Sequence, residues 1–238
     1  MAFLGDFTKG NATAVSANFS ESGGENCDDG CKLKATKSED AGGMCYARKI
    51  EKIYPNVKQA GIAKRKLSPT QIANALILEV RKIRNVWVRF SVLGSLPMEA
   101  KARETRGFEK AFKLLVSEIE SSGSDIHLPI EEKSKAEYYQ NLINEVSDKV
   151  VVRESCQSLE SLKTSENNRS YVIGTKGTPM KKRIAEANEL ARELREAGET
   201  TVVCGAIKPR NYKGRKLKCG NCTACAEKMV KVVLYPLH

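Results

Sequence analysis

Hydrophobic residues along the chain follow two spacings, one typical of strands and one typical of helices. Alternating or short apolar runs predict strands at 13–19, 86–93, 150–153, 171–174, 200–206 and 229–235. Apolar residues three or four positions apart predict helices at 69–83, 97–121, 130–146, 159–162 and 179–197. Ile126, His127 and Leu128 lie in a predicted connection. This order predicts an α/β fold with a mostly parallel sheet, either a partial or open (β/α) barrel or a doubly wound sheet.

One helix start is marked by its first residues. Ser68 can accept hydrogen bonds from the first turn, and Pro69 suits the first helical position because it needs no backbone N–H donor there. The apolar residues that follow have helical spacing and predict the buried side of this helix. They are Ile72, Leu76, Ile77, Val80 and Ile83.

Two predicted strands share a short sequence pattern, VWVRFS at 86–91 and VVVRES at 150–155. The pattern puts Arg89 and Arg153 at the same phase of their strands. In a parallel sheet both side chains would then point to the same side, where they could position an anionic group of a substrate. The alternative is that each arginine faces solvent at a strand edge. We treat Arg89 and Arg153 as candidate catalytic residues.

Lys and Arg exceed Asp and Glu by 40 to 29, which gives a net charge of +11. This balance favours an anionic partner, either a nucleic acid or an anionic small molecule. Most basic residues are interleaved with acidic ones on predicted helices, which is typical of solvated helix faces. Basic residues are concentrated in one segment, and we predict that it binds nucleic acid. The alternative is that this segment is a solvated loop. It consists of Lys208, Arg210, Tyr212, Lys213, Arg215, Lys216 and Lys218.

The N-terminal sequence has no basic region followed by a sustained apolar run, and no apolar stretch is long enough to span a bilayer. We therefore expect a cytoplasmic protein, in the host cytoplasm if a phage encodes it, without a membrane partner. The sequence does not indicate an oligomeric state. In a reducing compartment, the eight cysteines are not expected to form disulfides, and seven of them are predicted to bind metal.

The C-terminal cysteines have the spacing of metal ligands. Cys219, Cys222 and Cys225 recur at every third residue, which lets a short segment reach three corners of an iron–sulfur cluster. Cys204, at the end of a predicted strand, is the expected fourth ligand. Zinc remains an alternative because it also takes four thiolates. The segment 204–238 is thus predicted to be a metal-binding extension packed on an α/β core at 1–203.

A second group of cysteines lies in the predicted N-terminal loop at 20–50. Cys27, Cys31 and Cys45 have no evident fourth partner. Three protein ligands on a four-iron cluster leave one iron free to bind a small molecule. The alternative is that these thiols, together with Cys156, share one site with the C-terminal group or form zinc sites.

A loop with cysteines after the first strand, followed by a helix and a strand that ends in VLGSLP at 92–97, resembles radical S-adenosylmethionine proteins. Gly94 and Pro97 match the Gly-Gly-Glu-Pro-like motif of that superfamily, whereas Ser95 and Leu96 differ. The gap before Cys45 is also longer than the superfamily's Cys-x3-Cys-x2-Cys spacing. The resemblance implies a 4Fe–4S cluster at the N-terminal cysteines and S-adenosylmethionine as a cofactor, with Gly94 and Pro97 at its binding site.

The two ends of the chain resemble an uncharacterised phage and plasmid family, the gene-product-eighty-eight-like proteins. The matching segments are CYARKIEKIYPNV at 45–57 and CGNCTAC at 219–225. This resemblance implies a mobile-element origin and gives no activity.

Two classes of function remain. The first is a radical-S-adenosylmethionine-like iron–sulfur enzyme with one or two 4Fe–4S clusters. The second is a nucleic-acid-binding protein, stabilised by iron–sulfur or zinc, that acts in phage or plasmid DNA metabolism. A histidine-rich hydrolytic metal centre is excluded, because His127 and His238 are the two histidines of the chain.

Overall fold

A computed structural model gives the fold of residues 7–9, 15–17, 53, 55–56, 59, 67–90, 102–130, 133–174, 177–205, 222 and 224–236. Within these ranges, eight strands form one sheet in the order β1-β2-β3-β4-β5-β6-β8-β7. The strands are β1 (Phe7–Lys9), β2 (Val15–Ala17), β3 (Trp87–Phe90), β4 (Asp125–Ile130), β5 (Val151–Cys156), β6 (Arg169–Ile173), β7 (Thr201–Val203) and β8 (Val232–Pro236).

The sheet is mostly parallel and open. β1 pairs with β2 in the antiparallel direction, and every other pair of neighbours is parallel. Within the described ranges, the sheet ends at β1 on one side and at β7 on the other. The predicted α/β class and mostly parallel sheet are confirmed. The cysteine-rich loops predicted near both ends fall largely outside the described residues.

Five α-helices connect the strands in the described part of the chain. They are α1 (Pro69–Glu79), α2 (Ala102–Ser121), α3 (Lys133–Asn144), α4 (Leu159–Thr164) and α5 (Met180–Glu196). The start of α1 is the predicted one: the Ser68 side chain accepts from the Gln71 backbone N–H at 3.2 Å, and the Gln71 side chain accepts from the Ser68 N–H at 2.8 Å. None of the described helices has the length and apolar character needed to cross a membrane.

The helices pack on one side of the sheet, which we call the core face. Residues directly opposite one another in neighbouring strands share a face, and the face alternates along each strand. The core face carries most of the buried apolar residues of the strands, and buried side chains from α1 to α5 pack against it in two clusters. Its strand residues include Val88, Phe90, Ile126, Leu128, Ile130, Val152, Cys156, Ile173, Val203, Val232 and Leu234.

The opposite side of the sheet, which we call the polar face, has a different composition. Arg89, His127 and Val151 are aligned across β3, β4 and β5. Arg153 follows Val151 by two residues along β5 and therefore lies on the same face. On β6 and β8 the same face carries Ser170, Val172, Val233 and Tyr235. The described helices cover the core face, whereas Arg89, His127 and Arg153 lie on this second face.

Two strands, β1 and β4, were not predicted from the sequence. The connection predicted through His127 is β4, an interior strand whose residues Ile126, Leu128 and Ile130 are buried on the core face. The last predicted strand, β8, lies inside the sheet between β6 and β7. The segment after residue 204 therefore supplies a strand of the main sheet as well as part of the predicted cysteine site.

Candidate functional site on the polar face

Arg153 is completely buried on the polar face, and its guanidinium binds backbone carbonyls. Nε donates to the Cys225 carbonyl at 3.1 Å. Nη1 donates to the carbonyls of Arg169 and Lys231 at 3.1 and 3.3 Å, and Nη2 donates to those of Glu227 and Val230 at 3.4 and 3.0 Å. An arginine has five N–H donors, so this arrangement uses all of them.

Four of these five carbonyls belong to the segment 225–231, which leads into β8. Arg153 thus fixes the path of the chain that carries Cys225. Within the described ranges no carboxylate forms an ion pair with Arg153, whereas the buried Arg169 on the core face is paired with Glu199. Burial lowers the pKa of Arg153, and the proximity of Tyr235 and Cys225 opposes that shift. The polar face therefore has a buried positive charge next to a thiol.

Cys225 lies against Tyr235. Its Sγ is 2.8 Å from the Tyr235 Oη, a hydrogen bond in which either atom can be the donor. Burial raises the pKa of Cys225, while the bond from Tyr235 and the charge of Arg153 act in the opposite direction. Burial also raises the pKa of Tyr235 well above 10, and the neighbouring Cys225 adds to the shift.

Two further cysteines lie near this pair. Cys222 is close enough to Cys225 to contribute to the pKa shift of its thiol, and Cys204 contributes in the same way to that of Tyr235. Cys204 follows β7 directly, and its backbone N–H donates to the Leu234 carbonyl of β8 at 2.8 Å. Cys222 and Cys225 are free thiols. Cys204 and Cys225 therefore lie near Tyr235, and Cys222 lies near Cys225.

His127 lies between the two arginines of the polar face. Burial lowers its pKa well below 6.5, and the charges of Arg89 and Arg153 lower it further. His127 is therefore neutral at physiological pH. Arg89 is partly buried, and its Nε has no hydrogen-bond partner in the described part of the chain. The shared face of Arg89 and Arg153 agrees with the sequence pattern, and their catalytic role stays a prediction.

Cys156 lies on the other side of the sheet. It is 7% exposed and packs in the cluster formed with Leu162 and α5. Burial and the nearby Glu154 raise its pKa to about 11. Glu154 itself is buried, and it accepts hydrogen bonds from Ser165 at 2.6 Å and from Asn167 at 3.1 Å. Both residues stabilise the core face, so Cys156 is separated by the sheet from the cysteines near Tyr235.

The remaining predicted site residues lie outside the described residues. Among the described residues, no group of three or more His, Cys, Asp and Glu side chains is close enough to hold a metal ion. Cys219 is one of these remaining residues, as are the N-terminal thiols, the residues matched to the S-adenosylmethionine motif and the basic segment. These residues are Cys27, Cys31, Cys45, Gly94, Pro97, Lys208, Arg210, Tyr212, Lys213, Arg215, Lys216 and Lys218.

Two residues of the site were not predicted from the sequence. His127 lies in a segment whose proline hides its strand character, and Tyr235 was counted only as part of the last apolar run. A signal for Tyr235 does exist. It alternates with Val233 on one face of β8, opposite the buried Val232 and Leu234, so strand periodicity already puts it on the side away from the core.

Comparison of the chain with protein-family models, with curated proteins and with solved structures found no match.

Proposed function

We propose that the protein binds a 4Fe–4S cluster through Cys204, Cys219, Cys222 and Cys225. The observation that carries this proposal is the buried Arg153. Its partners among the described residues are all backbone carbonyls, and it lies beside the Cys225 thiol. A buried cation is stabilised by a nearby anion, and a cluster with four thiolate ligands is anionic. Arg89 adds a second positive charge to the same face.

The donor set also supports a metal. Cysteine thiolates are the usual ligands of iron–sulfur clusters. Cys204, Cys222 and Cys225 do not form a metal-holding group among themselves, so the site would depend on Cys219 as well. Bound there, the cluster would supply one-electron transfer. The chain itself would fix the Cys225 backbone through Arg153 and hold Cys204 at the end of β7.

We further propose that Cys27, Cys31 and Cys45 hold a second cluster that binds S-adenosylmethionine. Support for this part comes from the sequence, which has three thiols and no evident fourth ligand. Arg89 would then bind an anionic group of a substrate on the polar face.

The test is anaerobic purification and reconstitution of the full chain with iron and sulfide. We expect visible absorption that bleaches on reduction, together with stoichiometric iron and sulfide. Replacing Cys222 or Cys225 by serine should remove about half of the iron if two similar clusters are present. Cys156→Ser is the matched control, because Cys156 lies on the core face, and it should keep the full iron content.

Different results separate the alternatives. A colourless protein that contains only zinc would contradict the iron–sulfur proposal. An iron-loaded protein that does not cleave S-adenosylmethionine under reducing conditions would contradict the second part alone. If such a protein also binds DNA or RNA with strong salt dependence, the nucleic-acid function predicted from the basic segment becomes the better explanation.

A further inference from the structure

Arg89 is a cation of the polar face that the described part of the chain does not neutralise. Its Nε is buried and has no hydrogen-bond partner there, and no described carboxylate forms an ion pair with its guanidinium. The residue is partly exposed, so a ligand from solvent can reach it. A half-buried guanidinium without hydrogen bonds is unfavourable, because its donors have lost water and gained no acceptor. Arg89 therefore has donors available for an anionic ligand.

Arg153 supplies a second positive charge to the same face. Its strand and that of Arg89 are the two neighbours of β4, which puts their backbones about 10 Å apart. His127 lies between them, and both charges lower its pKa, so both reach the middle of this region. The N–H groups of Arg153 are bound to five backbone carbonyls. Arg153 thus contributes charge and no hydrogen bond to a ligand.

The described strands offer little negative charge to balance these two cations. Their one carboxylate on the polar face is Asp125, which precedes His127 by two residues at the start of β4. Asp125 is exposed, and it forms no ion pair with Arg89 or Arg153 among the described contacts. Water screens an exposed carboxylate, so it does not offset half-buried charges on the inner part of the face. A ligand with two negative charges would do so.

We propose that the polar face binds a phosphomonoester dianion, with Arg89 donating hydrogen bonds to the phosphate oxygens and Arg153 providing the second positive charge. A guanidinium fork matches two phosphate oxygens. A phosphomonoester has a second pKa of about 6 and is therefore mostly doubly charged above neutral pH. A carboxylate or a phosphodiester has one charge. This inference takes further the anion-binding role proposed for Arg89, and it does not require a metal.

The experiment is isothermal titration calorimetry of the full chain at about pH 7.5 and constant ionic strength, where the monoester is doubly charged. The probe is methyl phosphate, and the singly charged comparison probes are acetate and dimethyl phosphate. We expect methyl phosphate to bind at one site per chain. The two singly charged probes should bind at least about tenfold more weakly, because they neutralise only one of the two arginines.

Variants test the assigned residue. Arg89→Gln should weaken the binding of methyl phosphate about tenfold or more, since it removes hydrogen bonds to a charged group. Arg84→Gln is the matched control, because it removes the same charge from an exposed residue shortly before β3, and it should bind like the wild type. Arg89→Lys keeps the charge but loses the planar fork, so its affinity should lie between those of the wild type and Arg89→Gln.

A second measurement needs no variant. In the wild type, methyl phosphate should raise the midpoint of thermal unfolding relative to acetate at equal ionic strength, because it binds the folded state. Equal affinities of the wild type and Arg89→Gln, or of methyl phosphate and acetate, would overturn the inference. Binding of single-stranded DNA without binding of methyl phosphate would overturn it in favour of a nucleic-acid ligand.

Iron content, measured on the same samples, separates this inference from the proposed function. Arg89→Gln should contain as much iron as the wild type. An iron-free chain that binds methyl phosphate would contradict the proposed cluster and support the phosphate site. An iron-loaded chain that does not bind methyl phosphate would contradict the phosphate site alone.

Discussion

His127 and Arg153 are ionisable residues in the middle of a hydrophobic sheet, and each is tolerated for a different reason. Arg153 keeps its charge because five carbonyls receive its N–H groups. His127 loses its charge, because burial and two neighbouring arginines lower its pKa. The polar face thus carries its positive charge on arginine side chains and not on His127.

The neutral state of His127 predicts a pH dependence of stability. The unfolded chain binds a proton at this histidine below about pH 6.5, whereas the folded chain does not. Protonation of His127 should therefore not change the free energy of unfolding above that pH. The free energy of unfolding should fall as the pH decreases, by up to about 1.4 kcal/mol per pH unit.

Urea unfolding between about pH 7.5 and 5.5, under identical anaerobic conditions, measures this slope. In His127→Gln the slope should decrease. His238→Gln is the control, because it removes the other histidine of the chain, and it should retain the wild-type slope. An equal slope in His127→Gln and the wild type would show that His127 titrates normally in the folded protein.

At the scale of elements, Arg153 connects β5 to the segment that leads into β8. In Arg153→Lys the charge remains, but an ammonium has three donors, so at least two of the five carbonyls lose their partner. Each buried unsatisfied carbonyl costs about 1–3 kcal/mol. We expect the free energy of unfolding to decrease by about 2–5 kcal/mol, and hydrogen exchange to accelerate in residues 225–231.

The control for this variant is Arg192→Lys. Arg192 lies on the exposed side of α5 and pairs with Glu189 and Glu196. Exposed ion pairs contribute little to stability, so Arg192→Lys should change the free energy of unfolding by no more than about 0.5 kcal/mol. If Arg153→Lys were equally mild, the carbonyl contacts would not determine the path of this segment.

The elements also show what the sequence can predict. The helices and most strands agree with their predicted positions, because apolar spacing reports directly which side of an element is buried. β4 was missed because His127 and Pro129 interrupt its apolar pattern, although three of its side chains reach the core. The partners of Arg153 could not be predicted, since its N–H groups bind backbone carbonyls up to 78 residues away, and backbone carbonyls have no sequence signature.

For the whole molecule, the position of β8 decides whether the chain after residue 204 is an appendage. Val232, Val233 and Leu234 are each at most 1% exposed, and their strand separates β6 from β7. Burial of such side chains contributes about 1.5–3 kcal/mol each. That sum is a large part of a total stability of about 5–15 kcal/mol.

A chain that ends at Lys231 should therefore fail to fold cooperatively. Circular dichroism during thermal unfolding would detect the loss of a cooperative transition. The matched control removes only residues 237–238, which follow β8, and should unfold like the wild type. A cooperative transition near the wild-type temperature in the longer truncation would show that residues before β8 form an independent core.

The strand order also has a consequence for biosynthesis. β7 leaves the ribosome before β8, yet within the described residues β8 is its pairing partner. Until translation reaches β8, the β6 edge is uncovered and Tyr235 has not yet been synthesised. Cys204 and Tyr235 come close only when β8 enters the sheet, so under the proposed function a cluster would be delivered to the C-terminal thiols after this strand has been translated.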